Sequence, residues 1–158
     1  MKKIFSIVVS KEELIIKERP QLQHHVFTLT ASDTLENLTY LVENLPEVSF
    51  HIAAKTNVSD RLEAFKKYDN VTLYTNVHHD DIIEDLLDQS EIYLDINHWD
   101  QVDSIVDRAV EKGKPVFAFD NVVHRAELGA SVFSHQDPEM MVKEIQRQLF
   151  GIAVDTVN

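Results

Sequence analysis

Cysteine is absent from this 158-residue chain, and glycine nearly so, with Gly113, Gly129 and Gly151 the only three. The first absence removes disulfides, thiolate metal sites and a cysteine nucleophile. The second leaves no place for a G-x-x-x-x-G-K-[ST] or G-x-G-x-x-G phosphate loop. Basic residues are scarce as well: 15 Lys and Arg stand against 27 Asp and Glu, a net charge of −12. Duplex DNA and anionic membranes are recognised through Lys/Arg surfaces, so neither is an expected partner. Long apolar runs are missing too. Ile4 to Val9 follows Met1-Lys2-Lys3 in the manner of a signal peptide, but Lys11, Glu12 and Glu13 cut it short. The expectation is one soluble, cytoplasmic domain.

What the chain does have is alternation. Strand-like runs occur at Val26–Thr30, Val48–Ala54, Val71–Tyr74, Ile92–Ile96, Pro115–Phe119 and Ser131–Phe133. Helical spacing separates them. Leu35, Leu38, Leu41, Val42 and Leu45 follow a capping box of Asp33 and Glu36. A short helix from about Ser59 turns Leu62 and Phe65 inward. Ile82, Ile83, Leu86 and Leu87 mark a third helix. Val102, Ile105, Val106, Ala109 and Val110 mark a fourth, closed by Gly113. A last helix takes Asp137 as N-cap and buries Met141, Val142, Ile145 and Leu149.

Strands alternating with helices predict a doubly wound, mostly parallel α/β sheet covered on both faces. Residues 1–24 lie outside that rhythm and read as an appendage or connection, with 25–158 as the Rossmann-like domain.

Ligands of open α/β sheets bind beyond the carboxyl ends of the strands. That rule singles out Thr30 and Ser32 after the first strand, Asn97, His98, Trp99 and Asp100 after the fourth, and Asn121 and His124 after the fifth. Helix N-termini at this edge can receive an anion without a glycine loop. The run Tyr93-Leu94-Asp95-Ile96-Asn97-His98-Trp99-Asp100 stands out, because it sets the only Trp among hydrogen-bonding groups at a strand end. Competing readings make Asp100 the N-cap of a helix from Gln101, and His98 a loop residue bonded to a carbonyl. Asp95 either faces the cleft or caps it.

The other histidines suggest no metal. His24-His25 and His78-His79 are adjacent pairs whose side chains diverge, no H-E-x-x-H spacing exists, and His51 reads as a satisfied core or edge residue. No G-x-S-x-G elbow supports a serine hydrolase. Asp80, Asp81, Glu84, Asp85 and Asp88 read as a solvated helix face.

Several strings together resemble a known family. They are Leu29-Thr30-Ala31-Ser32-Asp33, Leu45-Pro46-Glu47-Val48, Phe50-His51-Ile52-Ala53-Ala54, Tyr68-Asp69-Asn70-Val71, Tyr93 to His98, and Val116 to Asn121 with His124. Across roughly residues 25–150 they resemble the C-terminal Rossmann-like domain of GT-B glycosyltransferase-like proteins. The nearest likeness is to the non-catalytic subunits that stabilise the O-GlcNAc transferase of serine-rich adhesins. Similar segments occur in poly(glycerol phosphate)-type cell-wall glucosyltransferases.

The resemblance implies a test for catalysis. Retaining enzymes of this fold usually carry two glutamates separated by seven residues before a Gly-x-Pro, holding the donor sugar and ribose. Counting back from Gly113-Lys114-Pro115, those positions hold Asp100 and Arg108. Asp100 can accept from a ribose hydroxyl, but a guanidinium only donates. The clamp is incomplete, and Arg108 is expected to face solvent.

GT-B enzymes also work between two Rossmann-like domains, and this chain has room for one. The leading reading is a non-catalytic module without cofactor, engaging a catalytic glycosyltransferase subunit or a serine-rich acceptor polypeptide. The alternative is the UDP-sugar-binding half of a cytoplasmic glycosyltransferase. A third is an α/β domain with an unrelated regulatory role.

Overall fold

In a computed structural model that describes residues 22–151, six strands form one parallel sheet in the order β3-β2-β1-β4-β5-β6. The strands are β1 (His24–Thr30), β2 (Val48–Ala54), β3 (Val71–Tyr74), β4 (Ile92–Asp95), β5 (Val116–Phe119) and β6 (Ser131–Phe133). The helices are α1 (Leu38–Asn44), α2 (Asp60–Glu63), α3 (Asp80–Gln89), α4 (Ile105–Glu111) and α5 (Glu139–Phe150). A 3-10 turn, Ala64–Lys67, continues α2. The expectation for residues 1–24 falls almost wholly outside the described residues. No helix among those described is long and apolar enough to cross a membrane.

The sheet is buried on both faces, which is why its strands read as continuous apolar runs rather than alternating ones. Val26, Phe50, Ile52, Leu94, Phe117 and Phe119 pack on one side with Leu38, Leu41, Leu62, Met141 and Ile145 from α1, α2 and α5. Phe27, Leu29, Ala53 and Tyr93 pack on the other with Ile83, Leu86 and Leu87 of α3 and Ile105 and Ala109 of α4. Each fully buried Leu or Phe contributes about 1.5–3 kcal/mol. The doubly wound α/β sheet predicted from the alternation is the fold.

Three helix starts differ from the sequence reading. α1 begins at Leu38 behind Asn37, and no capping box forms: Asp33 instead accepts from the Ser59 amide at 3.3 Å. α4 begins at Ile105, so Asp100 is no cap; the Gln101 side chain accepts from Val106 N at 2.8 Å in its stead. α5 begins after Pro138, and Asp137 makes no side-chain cap bond. At α1 a tertiary contact outbids the local capping pattern, and at α4 a nearby side chain takes the cap's place. The predicted end of α4 does form: Gly113 (φ 75°) donates to Val110 O and Lys114 to Ala109 O, a Schellman pair.

The crossover direction reverses between β1 and β4, whose pairing extends over only Val26↔Ile92 and Phe27↔Tyr93. Beyond that the strands part. The buried Tyr93 hydroxyl then serves the β1 backbone, accepting from Leu29 N at 3.1 Å. The loop after β1 folds into the gap, with Glu36 N donating to Ile96 O and His98 N to Thr34 O.

Candidate functional site

All eight sequence-predicted site residues lie at this carboxyl edge, but the structure spends several of them on one another. The Thr30 hydroxyl accepts from Ser32 N at 2.8 Å, and Ser32 Oγ accepts from Thr34 N at 3.0 Å. Both hydroxyls therefore shape a tight turn. Asn97 is 1% exposed; its Oδ1 accepts from Trp99 N at 2.8 Å, and its Nδ2 has no partner.

Three histidine–carboxylate pairs cross-link the loops. His98 Nε2 donates to Glu36 at 2.6 Å, rather than to a carbonyl, and Asn121 Nδ2 donates to the same oxygen at 3.1 Å. His124 donates to Asp95 twice, through its amide at 2.8 Å and Nδ1 at 2.5 Å. Its Nε2 donates to Trp99 O. His135 Nδ1 donates to Asp120 at 2.7 Å, while Asn37 reaches the His135 carbonyl at 2.9 Å. Loops after β1, β4, β5 and β6 are thus tied edge to edge.

Electrostatics follow from the pairs. The Asp95 carboxylate holds the His124 imidazole above its usual pKa, against the opposing effect of burial. The His135 hydrogen bonds hold Asp120 below the ordinary carboxylate range. Away from this edge, burial pushes His51 down to about 3, helped by neighbouring His25. His51 is a satisfied core residue, bonded to Tyr74 OH at 2.8 Å.

Two members of these pairs lie outside the predicted set: Glu36, which reads locally as a capping-box residue, and His135, in the loop after β6. Asp120, directly after β5, stands where the strand-end rule points. Asp95 resolves to a buried ligand of His124, 1% exposed.

Arg108 corrects another expectation. It does not face solvent: it is 19% exposed, with Nη2 at 2.6 Å from Glu84 and 3.1 Å from Asp80. The same acidic face of α3 also receives Lys112, 2.8 Å from Glu84 and 2.7 Å from Asp88, so a face whose Asp80, Asp81 and Asp88 are solvated also carries an ion-pair seam. Asp100 is exposed, and no hydrogen bond or ion pair reaches it from the described residues. Among those residues no group of three or more His, Asp or Glu could hold a metal ion. A groove of about 480 Å³ lies beside the edge, between α1 and α2, lined by Leu35, Leu38, Tyr40, Arg61, Leu62 and Phe65.

Comparison with known proteins places this architecture. The family model described as "GftB/GlyA-F C-terminal domain" matches residues 11–152. The UDP-N-acetylglucosamine–peptide N-acetylglucosaminyltransferase stabilizing protein GtfB of Streptococcus agalactiae is 41% identical over 80% of this chain and 28% of its own length. Glycosyltransferase GlyB of Streptococcus pneumoniae is 39% identical over 90% of this chain and 34% of its own. A solved GtfA/B complex bound to UDP and GlcNAc superposes with a TM-score of 0.73 at 29% identity, covering 96% of this chain and 36% of the matched one. The chain thus spans about a third, or less, of the relatives' length. On the extent of the family match and these identities, the chain belongs to the GftB/GlyA-F C-terminal domain family.

Proposed function

We propose that this chain is a non-catalytic binding and stabilising module of a protein O-glycosyltransferase complex, acting in the cytoplasm without a cofactor. It engages a catalytic glycosyltransferase subunit or a serine-rich acceptor polypeptide through the edge carrying Thr30, Ser32, Asn97, His98, Trp99, Asp100, Asn121 and His124. One observation carries the reading. A retaining donor clamp needs two acceptor carboxylates, and here Asp100 stands alone while the second position is Arg108, bound to Asp80 and Glu84. The stabilizing protein of Streptococcus agalactiae supports the same assignment. Pull-down of the chain with a catalytic O-GlcNAc transferase subunit and with a serine-rich peptide tests it. Retention of neither defeats it.

The second reading, a UDP-sugar-binding half, draws support from the relative named glycosyltransferase GlyB. Calorimetric titration with UDP, UDP-GlcNAc and UDP-glucose separates the two. Saturable binding abolished by Asp100→Ala establishes the donor-binding reading, and no heat with any of the three favours the module.

A further inference from the structure

We propose that the loop Asn97–Ser104 is a pre-organised contact element whose anchor is Trp99 and whose occupant is a basic patch on the catalytic glycosyltransferase subunit. The inference rests on the partner-binding reading above and narrows it to one loop and one chemistry.

The anchor is the first point. Trp99 is 64% exposed, whereas the other aromatic side chains among the described residues are largely built into the core. Its backbone is held from both sides: Asn97 Oδ1 accepts from its amide, and His124 Nε2 donates to its carbonyl. Behind those contacts stand two side chains that are 1% exposed, Asn97 and Asp95. The main chain is fixed to the sheet while the indole stands in solvent. A rigid exposed aromatic of this kind contributes a large contact area at low ordering cost.

The rest of the loop is fixed as firmly. Gln101 bridges Val106 N at 2.8 Å and Asp107 at 3.1 Å. Lys55 Nζ donates to Asp103 at 2.7 Å. Asp103 and Ser104 take φ values of 53° and 52° in succession. Consecutive left-handed non-glycine residues cost free energy and persist where surrounding contacts impose them, a hallmark of binding segments.

Charge selects the occupant. Beside the indole, Asp100 has no hydrogen-bonding or ion-pair partner among the described residues. The cations of the neighbouring loops are already paired: Lys55 with Asp103, Arg125 with Asp107 and Glu127, and the His124 imidazole with Asp95, Asp100 acting on that ring only as the weakest of its neighbours. The exposed imidazole, His98, donates to Glu36. An indole face next to an open carboxylate attracts a guanidinium or ammonium group, and the chain's net charge of −12 repels an acidic one.

The test is calorimetric binding of the full chain to the catalytic glycosyltransferase subunit, at low and at physiological salt. Trp99→Ala is expected to weaken binding at least about tenfold without shifting the thermal midpoint. Trp99→Phe should restore most of that loss and Trp99→Leu little, because only the aromatic face attracts a cation. Asp100→Asn should weaken binding at low salt and flatten its salt dependence. Equal affinity of Trp99→Ala and the parent chain, or full rescue by Trp99→Leu, overturns the inference while leaving partner binding intact. Failure of the parent chain to bind the subunit overturns the inference, and failure to retain the serine-rich peptide as well overturns the reading on which it rests.

Discussion

The guanidinium of Arg108 lies 2.6 Å from the Glu84 carboxylate, joining α4 to α3 on the face away from α1 and α5. Glu84 is held below the ordinary carboxylate range by Lys112 first and Arg108 second. Restoring a glutamate at this position therefore adds a third carboxylate to Asp80 and Glu84. Arg108→Glu is expected to cost about 1–2 kcal/mol, more than an exposed pair and less than a fully buried one. Urea melts measure it. Negligible loss in both Arg108→Glu and Arg108→Ala would show that the seam contributes nothing.

His51 gives the chain an acid-side weakness. Folded, it stays neutral to about pH 3, because burial and His25 oppose its charging; unfolded, it titrates near the ordinary 6.5. Its contribution is present above 6.5 and declines as pH falls toward 3, since only the unfolded chain takes up the proton. The slope reaches about 1.4 kcal/mol per pH unit. Urea midpoints from pH 7 to pH 5 should fall more steeply in the parent than in His51→Asn.

His124 behaves in the opposite sense. It faces two acceptors, the Asp95 carboxylate and the Trp99 carbonyl, and only an imidazolium donates from both nitrogens. Asp95 and Asp100 both raise its pKa. Its contribution is full below 6.5 and is lost as pH rises through the raised value, freeing the Trp99 carbonyl. Tryptophan anisotropy should fall across that window, with Trp99 the sole reporter. In His124→Gln the transition should vanish.

Gly113 isolates a backbone effect. A Cβ built there meets nothing within 4 Å, yet φ is 75°. Gly113→Ala should cost about 1–2 kcal/mol, the left-handed penalty alone. At Ser104, φ 52°, the same penalty is already present. Ser104→Gly should recover up to about 1 kcal/mol and Ser104→Val should lose a similar amount. Equilibrium urea unfolding reads all three.

Legibility divided along the range of the interactions. Val48–Ala54 and Val71–Tyr74 match the observed β2 and β3 residue for residue, and Gly113 closes α4 as its neighbours predict. These depend on period, β-branching and a left-handed stop, all local. Glu36 shows the failure: a capping box is a four-residue pattern, whereas its real partners, His98 and Asn121, lie 62 and 85 residues away.

By itself the sequence determined the alternation of strand and helix, the burial of the sheet on both faces, and the carboxyl edge where Thr30, Asn97, Trp99 and His124 gather. Apolar period and turn chemistry are written in neighbouring residues, so they need no fold to be read. Only the tertiary structure decided which polar groups on that edge are spent and which are open. Asp95 is consumed by His124, Arg108 by Glu84, and Asp100 with Trp99 is left facing solvent. A buried or crowded charge takes the partner that packing brings within about 3 Å, and that choice is made across the sheet rather than along the chain.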